Sequence, residues 1–276
     1  MVLTVANFNM HCGMDGWGRP YDSMAAIAAL NADVIVLEEQ WTAEEPGGQA
    51  ATDSQAEAAA RTLGYRVFTH DLGRGRRIRP QPEADDRWIA RPFWRAESKA
   101  LYMDGVRPVP PAVKDLVRWQ QAEVGRWGIA VLVAPHLDVH DSHVIVLDQL
   151  RRDPVSRAAL VVDLAVDGRP ISVVGTHMAH LPFGAHRNWL QLRHALDQGA
   201  RPSAVLAGDM NTWGPLVKGF LPHWRRAVIG RSWPAWRPHS QIDHIVVRGH
   251  VRTVSGEVLP NAGSDHRPIR ATLSVD

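Results

Sequence analysis

A chain of 276 residues with 45% hydrophobic side chains has apolar material for one large core, and a single domain over 1–276 is expected. Charged residues make up 22% and the formal net charge is +2, an excess too small to mark a polyanion binder by charge alone. The lone cysteine, Cys12, excludes an internal disulfide framework, and no apolar run approaches the ~18 residues that span a bilayer, so the expectation is a cytoplasmic protein without a transmembrane segment.

Valine- and isoleucine-rich runs read as strands at 2–8 and 33–37, with a helix following Asp22 through Leu30 between them. Ser54-Gln55-Ala56-Glu57 is a capping box opening an alanine-rich helix that stops at Gly64. From 71 to 127 the pattern changes to Arg74, Arg76, Arg77, Arg79, several prolines and Trp88, Trp94 and Trp119, which reads as an elaborated insertion. Further strands are expected at 129–133, 144–147, 160–166 and 171–174, the last two joined by the turn Asp167-Gly168. A helix over 185–198 places Trp189, Leu192 and Leu196 on one face, with Gly199 able to end it, and strands at 204–207 and 242–247 follow. Strands separated in some places by helices and in others by turns imply a mixed α/β protein with hairpins and crossovers.

Polar groups placed directly after apolar runs are the informative exceptions, because strands fix such groups at one rim of a sheet. They occur at Asn9, at Glu38-Glu39, at Thr176-His177, from Gly208 through Asp209 and Asn211 to Thr212, at Asp243-His244 and at Ser264-Asp265-His266. Taken singly, each has an ordinary structural explanation as a turn, a cap or a hydrogen-bonded core residue. Only one carboxylate of the Glu38-Glu39 pair is expected to serve as a ligand, since successive strand residues face opposite sides.

The ordered set resembles the endonuclease/exonuclease/phosphatase superfamily. The matching steps are Phe8-Asn9-Met10; Leu37-Glu38-Glu39, with Glu where the family has Gln; Thr176-His177-Met178; Gly208 to Thr212; Ile242 to Ile245; and Ser264-Asp265-His266. The resemblance implies a four-layer α/β sandwich, two mixed β-sheets packed face to face with helices on the outside. It implies a hydrolase cleaving phosphoester bonds by in-line attack of an activated water, with Mg²⁺ or Mn²⁺ as cofactor. Asn9, Glu39 and Asp265 would be the metal ligands. Asp209 would orient and deprotonate the water, with Asn211 donating to a phosphoryl oxygen or to the nucleophile. His266 would contact the phosphate, Asp243 would fix the tautomer of His266, and His177 would donate to another phosphoryl oxygen.

The chemistry accounts for these residue types: a phosphoester anion repels hydroxide, so its oxygens must be neutralised while a water is deprotonated, and hard oxygen ligands suit Mg²⁺ or Mn²⁺ better than zinc. Two departures stand out. Residues 129–134 lack the Ser and Arg of the family's Ala-x-Leu-Ser-Arg step, and His11 stands where many relatives carry an acidic or other polar group. A phosphodiester of nucleic acid is the expected substrate. The alternatives are a phospholipid head group, an inositol phosphate, or, in a different class, a non-catalytic module that holds a phosphorylated ligand.

Overall fold

The computed structural model describes residues 2–16, 18–45, 48–77, 101–103, 122–151, 153 and 155–276. One sheet runs β12 (Val251–Val258), β13 (Ile269–Val275), β1 (Val2–Asn9), β2 (Val34–Ala43), β5 (Glu123–Val133), β3 (Arg66–Arg77) and β4 (Leu101–Met103). The other runs β10 (Arg225–Arg226), β11 (Asp243–Arg248), β9 (Ala204–Asp209), β8 (Arg169–His177), β7 (Ala158–Val166) and β6 (Asp138–Val146). Both are mixed: the described strands of each pair antiparallel except at one place, β1 with β2 in the first and β8 with β9 in the second.

A parallel pair needs a crossover, and in both sheets a helix supplies it. Helix α1 (Ser23–Ala29) joins β1 to β2, and α3 (His186–Gly199) joins β8 to β9. Asp22 starts α1 by accepting from the Ala25 N–H. The Ser54–Glu57 capping box closes reciprocally at the start of α2 (Gln55–Leu63), and Gly64 ends that helix with a left-handed φ of 75°, as its position in the sequence implies. Gly199 proves to be the last helical residue of α3, with Ala200 turning to extended backbone beyond it. A short α4 (Gly214–Phe220), not expected from the sequence, follows β9.

Alternation along the strands sorts the apolar side chains into three layers. Leu3, Val5, Val34, Val36, Val131, Val173, Val205 and Ile245 fill the space between the sheets. Ala6, Phe8, Ile35, Leu37 and Leu132 face α1 and α2, meeting Ile27, Ala56 and Ala59. Val161, Val174, Leu206 and Val246 face α3 and α4, meeting Trp189, Leu192, Leu196 and Val217. The result is the four-layer sandwich that the resemblance implies. Gly175 sets how closely the sheets approach, because a Cβ there would stand 3.0 Å from Val36 of the opposite sheet.

The stretch at 71–127 begins and ends as sheet: 71–77 belong to β3 and 123–127 to β5, paired antiparallel. Its remaining expected features, including Arg79, Trp88, Trp94 and Trp119, lie outside the described residues. Among the described residues no helix is long and apolar enough to cross a membrane.

Candidate active site

The inward-facing positions of five strands change from aliphatic to polar at one rim. On β1 the sequence is Leu3, Val5, Asn7, Asn9; on β8 it is Ile171, Val173, Gly175, His177; on β9 it is Val205, Ala207, Asp209. On β11, which runs the other way, Asp243 comes first and Ile245 and Val247 follow. Parallel pairing puts Asn9 beside β2 and His177 opposite Asp209, while antiparallel pairing puts Asp243 opposite Asp209.

Glu38 is the inward residue of β2. It is fully buried, and both its oxygens lie 2.6 Å from Asn7 Nδ2. Burial, with Asp243 and Asp209 nearby, raises its pKa well above the usual carboxylate range. Glu39 would face α1 and α2, but the β2–β5 register skips it: Glu38 pairs with Ile129 and Gln40 with Gly128. It is therefore the extra residue of a β-bulge, with a φ of 50°, and the bulge re-aims its carboxylate toward the rim. Gly128 permits the crowding there, since a Cβ would meet His70 O at 2.1 Å.

The predicted residues converge. Asn9 Nδ2 donates to Asp209 Oδ2 at 3.1 Å and to Glu39 Oε1 at 3.4 Å. His177 Nε2 lies 3.7 Å from Asp209 Oδ2 and 3.9 Å from Glu39 Oε1. His266 Nδ1 lies 3.0 Å from both oxygens of Asp243, and its Nε2 lies 3.8 Å from Asp209 Oδ2 and 4.0 Å from Asp265 Oδ1. Asn211, at a φ of 46°, donates its backbone N–H to Asp209 Oδ1 at 2.9 Å and Nδ2–H to Met178 O at 2.8 Å, with Nδ2 also 3.2 Å from His177 Nε2.

Neighbouring residues hold these groups in place. Ser264 Oγ donates to Asn9 O at 2.8 Å, tying the segment before β13 to the end of β1. Trp127 meets the His177 ring edge-on at 5.9 Å. His244 Nε2 bonds Thr212 O at 2.9 Å and so secures the loop that carries Asn211. His11, whose role the sequence leaves open, places Nδ1 3.1 Å from Met14 O and 3.6 Å from Asp265 Oδ1. It does so from a left-handed turn in which His11, Cys12 and Gly13 have φ values of 45°, 53° and 75°. Two consecutive non-glycine residues in that region carry strain, and no periodicity in the sequence announces it.

Burial and charge set the protonation of the cluster. Burial, reinforced by Asp243 and Glu39 and opposed by His266, pushes Asp209 up to about 7. Burial, with Asp265 adding to it, also raises Glu39, against the pull of His11 and His266. His177 is held well below the ordinary imidazole value by burial and by Arg157. Burial opposes charge on His266 as well, yet Asp243 and Asp265 outweigh it and raise that imidazole well above its ordinary value. Asp265 is lowered despite its burial, by His11 and His266 and by hydrogen bonds from Trp233 and Ser264.

Two groupings here have the chemistry of a cation site. Asp209, Asp243 and His266 offer atoms within 4.8 Å of one another. Their contacts already satisfy one another, however, with His266 bonded to Asp243 and Asp209 receiving Asn9 and Asn211. Glu39 Oε2, in contrast, is buried with no hydrogen-bond partner among the described residues. An orphaned carboxylate oxygen is costly unless a cation meets it, so the Glu39 side of the rim fits a hard divalent ion better.

A face-to-face α/β sandwich with carboxylates, amides and imidazoles gathered at one rim defines the class of this protein. Its family follows from the sequence: residues 6–266 match the model of the Endonuclease/Exonuclease/phosphatase family, and the chain belongs to it. Members of this family are phosphoesterases, nucleases and phosphatases among them. Solved structures with the same fold include an endonuclease/exonuclease/phosphatase from Beutenbergia cavernae, 20% identical with a TM-score of 0.66 over 99% of this chain and 72% of that one. The human Nocturnin catalytic domain with bound sulfate is 15% identical, TM-score 0.64, over 100% and 94% of the two chains. A mannosyl-6-phosphatase from Bacteroides thetaiotaomicron is 13% identical, TM-score 0.59, over 99% of each. No curated protein gives a significant sequence match.

Proposed function

We propose that this protein is a divalent-metal-dependent phosphodiesterase that cleaves nucleic acid in the cytoplasm by in-line attack of water. One observation carries the reading. Asp209 Oδ2 has Asn9 Nδ2 at 3.1 Å, His177 Nε2 at 3.7 Å and His266 Nε2 at 3.8 Å, so a single buried carboxylate, poised to exchange a proton near neutrality, faces three groups that can hold an anion.

In this reading Asp209 takes the proton of the attacking water, and Asn211, bonded to Asp209 through its own backbone N–H, donates Nδ2–H to the nucleophile or to a phosphoryl oxygen. His266 is the cation that meets charge developing on phosphorus oxygens, oriented and kept protonated by Asp243. His177, neutral because it is buried beside Arg157, offers Nε2–H to a second phosphoryl oxygen. Glu39 and Asp265, with Asn9, would hold Mg²⁺ or Mn²⁺. Asn9 currently turns its amide nitrogen to the carboxylates while Oδ1 accepts from the His11 N–H at 3.0 Å, so service as an oxygen ligand requires the amide to turn over. A bound divalent ion supplies neutralisation of phosphoryl and leaving oxygens.

The test is hydrolysis of a panel of nucleic acids, phospholipids and inositol phosphates, with and without chelator. Nucleic-acid cleavage that disappears with chelator and returns with Mg²⁺ or Mn²⁺ is expected. Turnover confined to lipids or inositol phosphates would replace the substrate class. Failure on every member of the panel in both metals would leave the non-catalytic phospho-ligand module as the better account.

A further inference from the structure

The near-balance of charge over the whole chain, 31 Lys and Arg against 29 Asp and Glu, conceals a local imbalance. From Met210 to Ile242 there is no Asp or Glu, while Lys218, Arg225, Arg226, Arg231 and Arg237 all fall within that stretch. It begins beside Asp209 and ends beside Asp243, so both its ends lie at the candidate site. Elsewhere arginines meet carboxylates: Arg74 pairs with Glu44, Arg126 with Asp71, Arg157 with Asp153, Arg248 with Asp197 and Arg270 with Glu257. Inside the stretch, Arg225 donates to Val251 O at 2.7 Å and Arg226 donates to Gln241 Oε1. Arg231 and Arg237 are exposed, and among the described residues neither side chain has a hydrogen bond or an ion pair.

Their backbone is fixed against the site. Residues 232–240 fold into a hairpin, with Trp233 N–H donating to Ser240 O at 3.0 Å and Ser240 N–H donating to Trp233 O at 2.9 Å. Arg237 sits at its turn, where its N–H donates to Pro234 O at 3.1 Å. Ala235 N–H donates to Asp265 O at 2.7 Å, and Arg267 returns two bonds at 2.8 Å, N–H to Ser232 O and Nε–H to Ala235 O. The Trp233 ring centroid lies 6.5 Å from that of His266 and 5.4 Å from that of His239. On its other side the hairpin rests on the segment after β1, since a Cβ at Gly16 would stand 2.3 Å from Trp236 Cζ3. Arg231, Arg237 and Arg267 are therefore carried as a group beside His266.

An exposed guanidinium without a carboxylate, held on a rigid loop, can take a phosphate through parallel N–H donors. A lone phosphoryl group at Asp209 would be met by His177 and His266 and would leave these arginines unused. A nucleic-acid strand carries a phosphate at every residue, so the groups on either side of the scissile one need partners too. An anionic bilayer fits the hairpin less well. An interfacial element turns its apolar side chains outward, whereas here Pro234 and Ala235 are buried and Trp233 packs against two imidazoles.

We propose that Arg231 and Arg237, with Arg267 at the base of the hairpin, form a surface that binds the backbone phosphates flanking the scissile one in a nucleic-acid strand. This inference rests on the phosphodiesterase reading above and deepens it: the substrate is chosen by phosphates beyond the one that is cleaved.

A short fluorescein-labelled single-stranded DNA, titrated in chelator over a series of NaCl concentrations, reads the surface without turnover. Binding should weaken as salt rises. Arg231→Gln and Arg237→Gln should each weaken it by about three- to tenfold and lower the slope of log Kd against log salt by about 0.7, the value for one phosphate contact on a single strand. Arg237→Lys, which keeps the charge, should keep the slope. With Mg²⁺ supplied, the two Gln variants should raise KM for the strand and lose more kcat/KM on it than on bis(p-nitrophenyl) phosphate, which has no flanking phosphate. Equal slopes in wild type and both variants, or an equal loss on both substrates, would overturn the proposal. Loss of binding to phosphatidylserine vesicles in variants whose DNA binding is intact would assign the surface to a membrane instead. If wild-type protein hydrolyses the small diester but neither binds nor favours the strand, the phosphodiesterase reading stands and this inference falls. If it hydrolyses no phosphoester yet the variants still lose DNA affinity and slope, the surface stands as a nucleic-acid site and the hydrolytic reading falls.

Discussion

The two halves of the candidate site are built on the same plan and end in different chemistry. Each sheet contributes the C-terminal ends of its parallel pair, β1 and β2 in one and β8 and β9 in the other, joined in each case by a helix on the outer face. In the first half, Asn9 and Glu39 arrive with a carboxylate oxygen that has no partner among the described residues and with a strained turn at His11. In the second half, His177, Asp209, Asn211, Asp243 and His266 are joined by a chain of hydrogen bonds and close charge contacts. In the proposed reading, one side is prepared for a cation and the other for a proton. The β-strand framework alone thus does not decide the chemistry; the bulge at Glu39 and the His266–Asp243 pair do.

The strongest way to break that comparison is to remove the proton-handling carboxylate. Asp209→Ala is expected to lower kcat by about 10³- to 10⁴-fold, the upper part of the range for general base catalysis, with the far-UV circular dichroism spectrum unchanged. Near wild-type turnover in this variant would dismiss Asp209 as the base. On the other side, Glu39→Gln keeps the shape of the bulged residue and removes its charge. The Mg²⁺ concentration giving half-maximal activity should rise by about 100-fold, with less change in the rate at saturating metal. If titration calorimetry shows the same Mg²⁺ affinity in both proteins, the cation belongs elsewhere.

The division between legible and hidden features follows from physics. Strand-end polar residues are visible because β alternation makes inward positions predictable: Asn9, His177, Asp209 and Asp243 continue the parity of the apolar residues on their own strands. Helices α1 and α2 were legible from their caps. The choice between Glu38 and Glu39 was not, since a bulge inverts parity and depends on the register with β5. Strand β3 is not legible because its Arg, Gly and His content is polar and only partly buried, and β12 because most of it is exposed. The alternation of β13 is regular, but the strand is short and follows the last motif closely. Likewise, nothing in the spacing of Gly16 and Trp236 reveals that they touch.

The mildest effect sharpens the contrast through pH. Folding raises the pKa of Asp209 from about 3.9 in an unfolded chain, and burial is the largest cause of its standing at about 7. A pKa raised by folding contributes stability that is complete below the unfolded value and is lost as pH rises through the folded one. The protein in chelator should therefore become less stable between pH 4 and pH 8, falling most steeply between the unfolded and folded values and levelling off above about 7. Glu39 and His266, also raised, act in the same direction, and His177, lowered, acts against them. Asp209→Asn removes one member of this set, so its melting temperature should fall less between pH 5 and pH 8 than that of the wild type. The difference should be on the order of 1–2 kcal/mol, a shift of a few degrees. Adding Mg²⁺ at pH 8 should recover stability in the wild-type protein by binding the charged form, and should recover less in Glu39→Gln. Identical pH slopes for wild type and Asp209→Asn would show that the neutral-pH proton sits on another group, and the second half of the site would then need a different base.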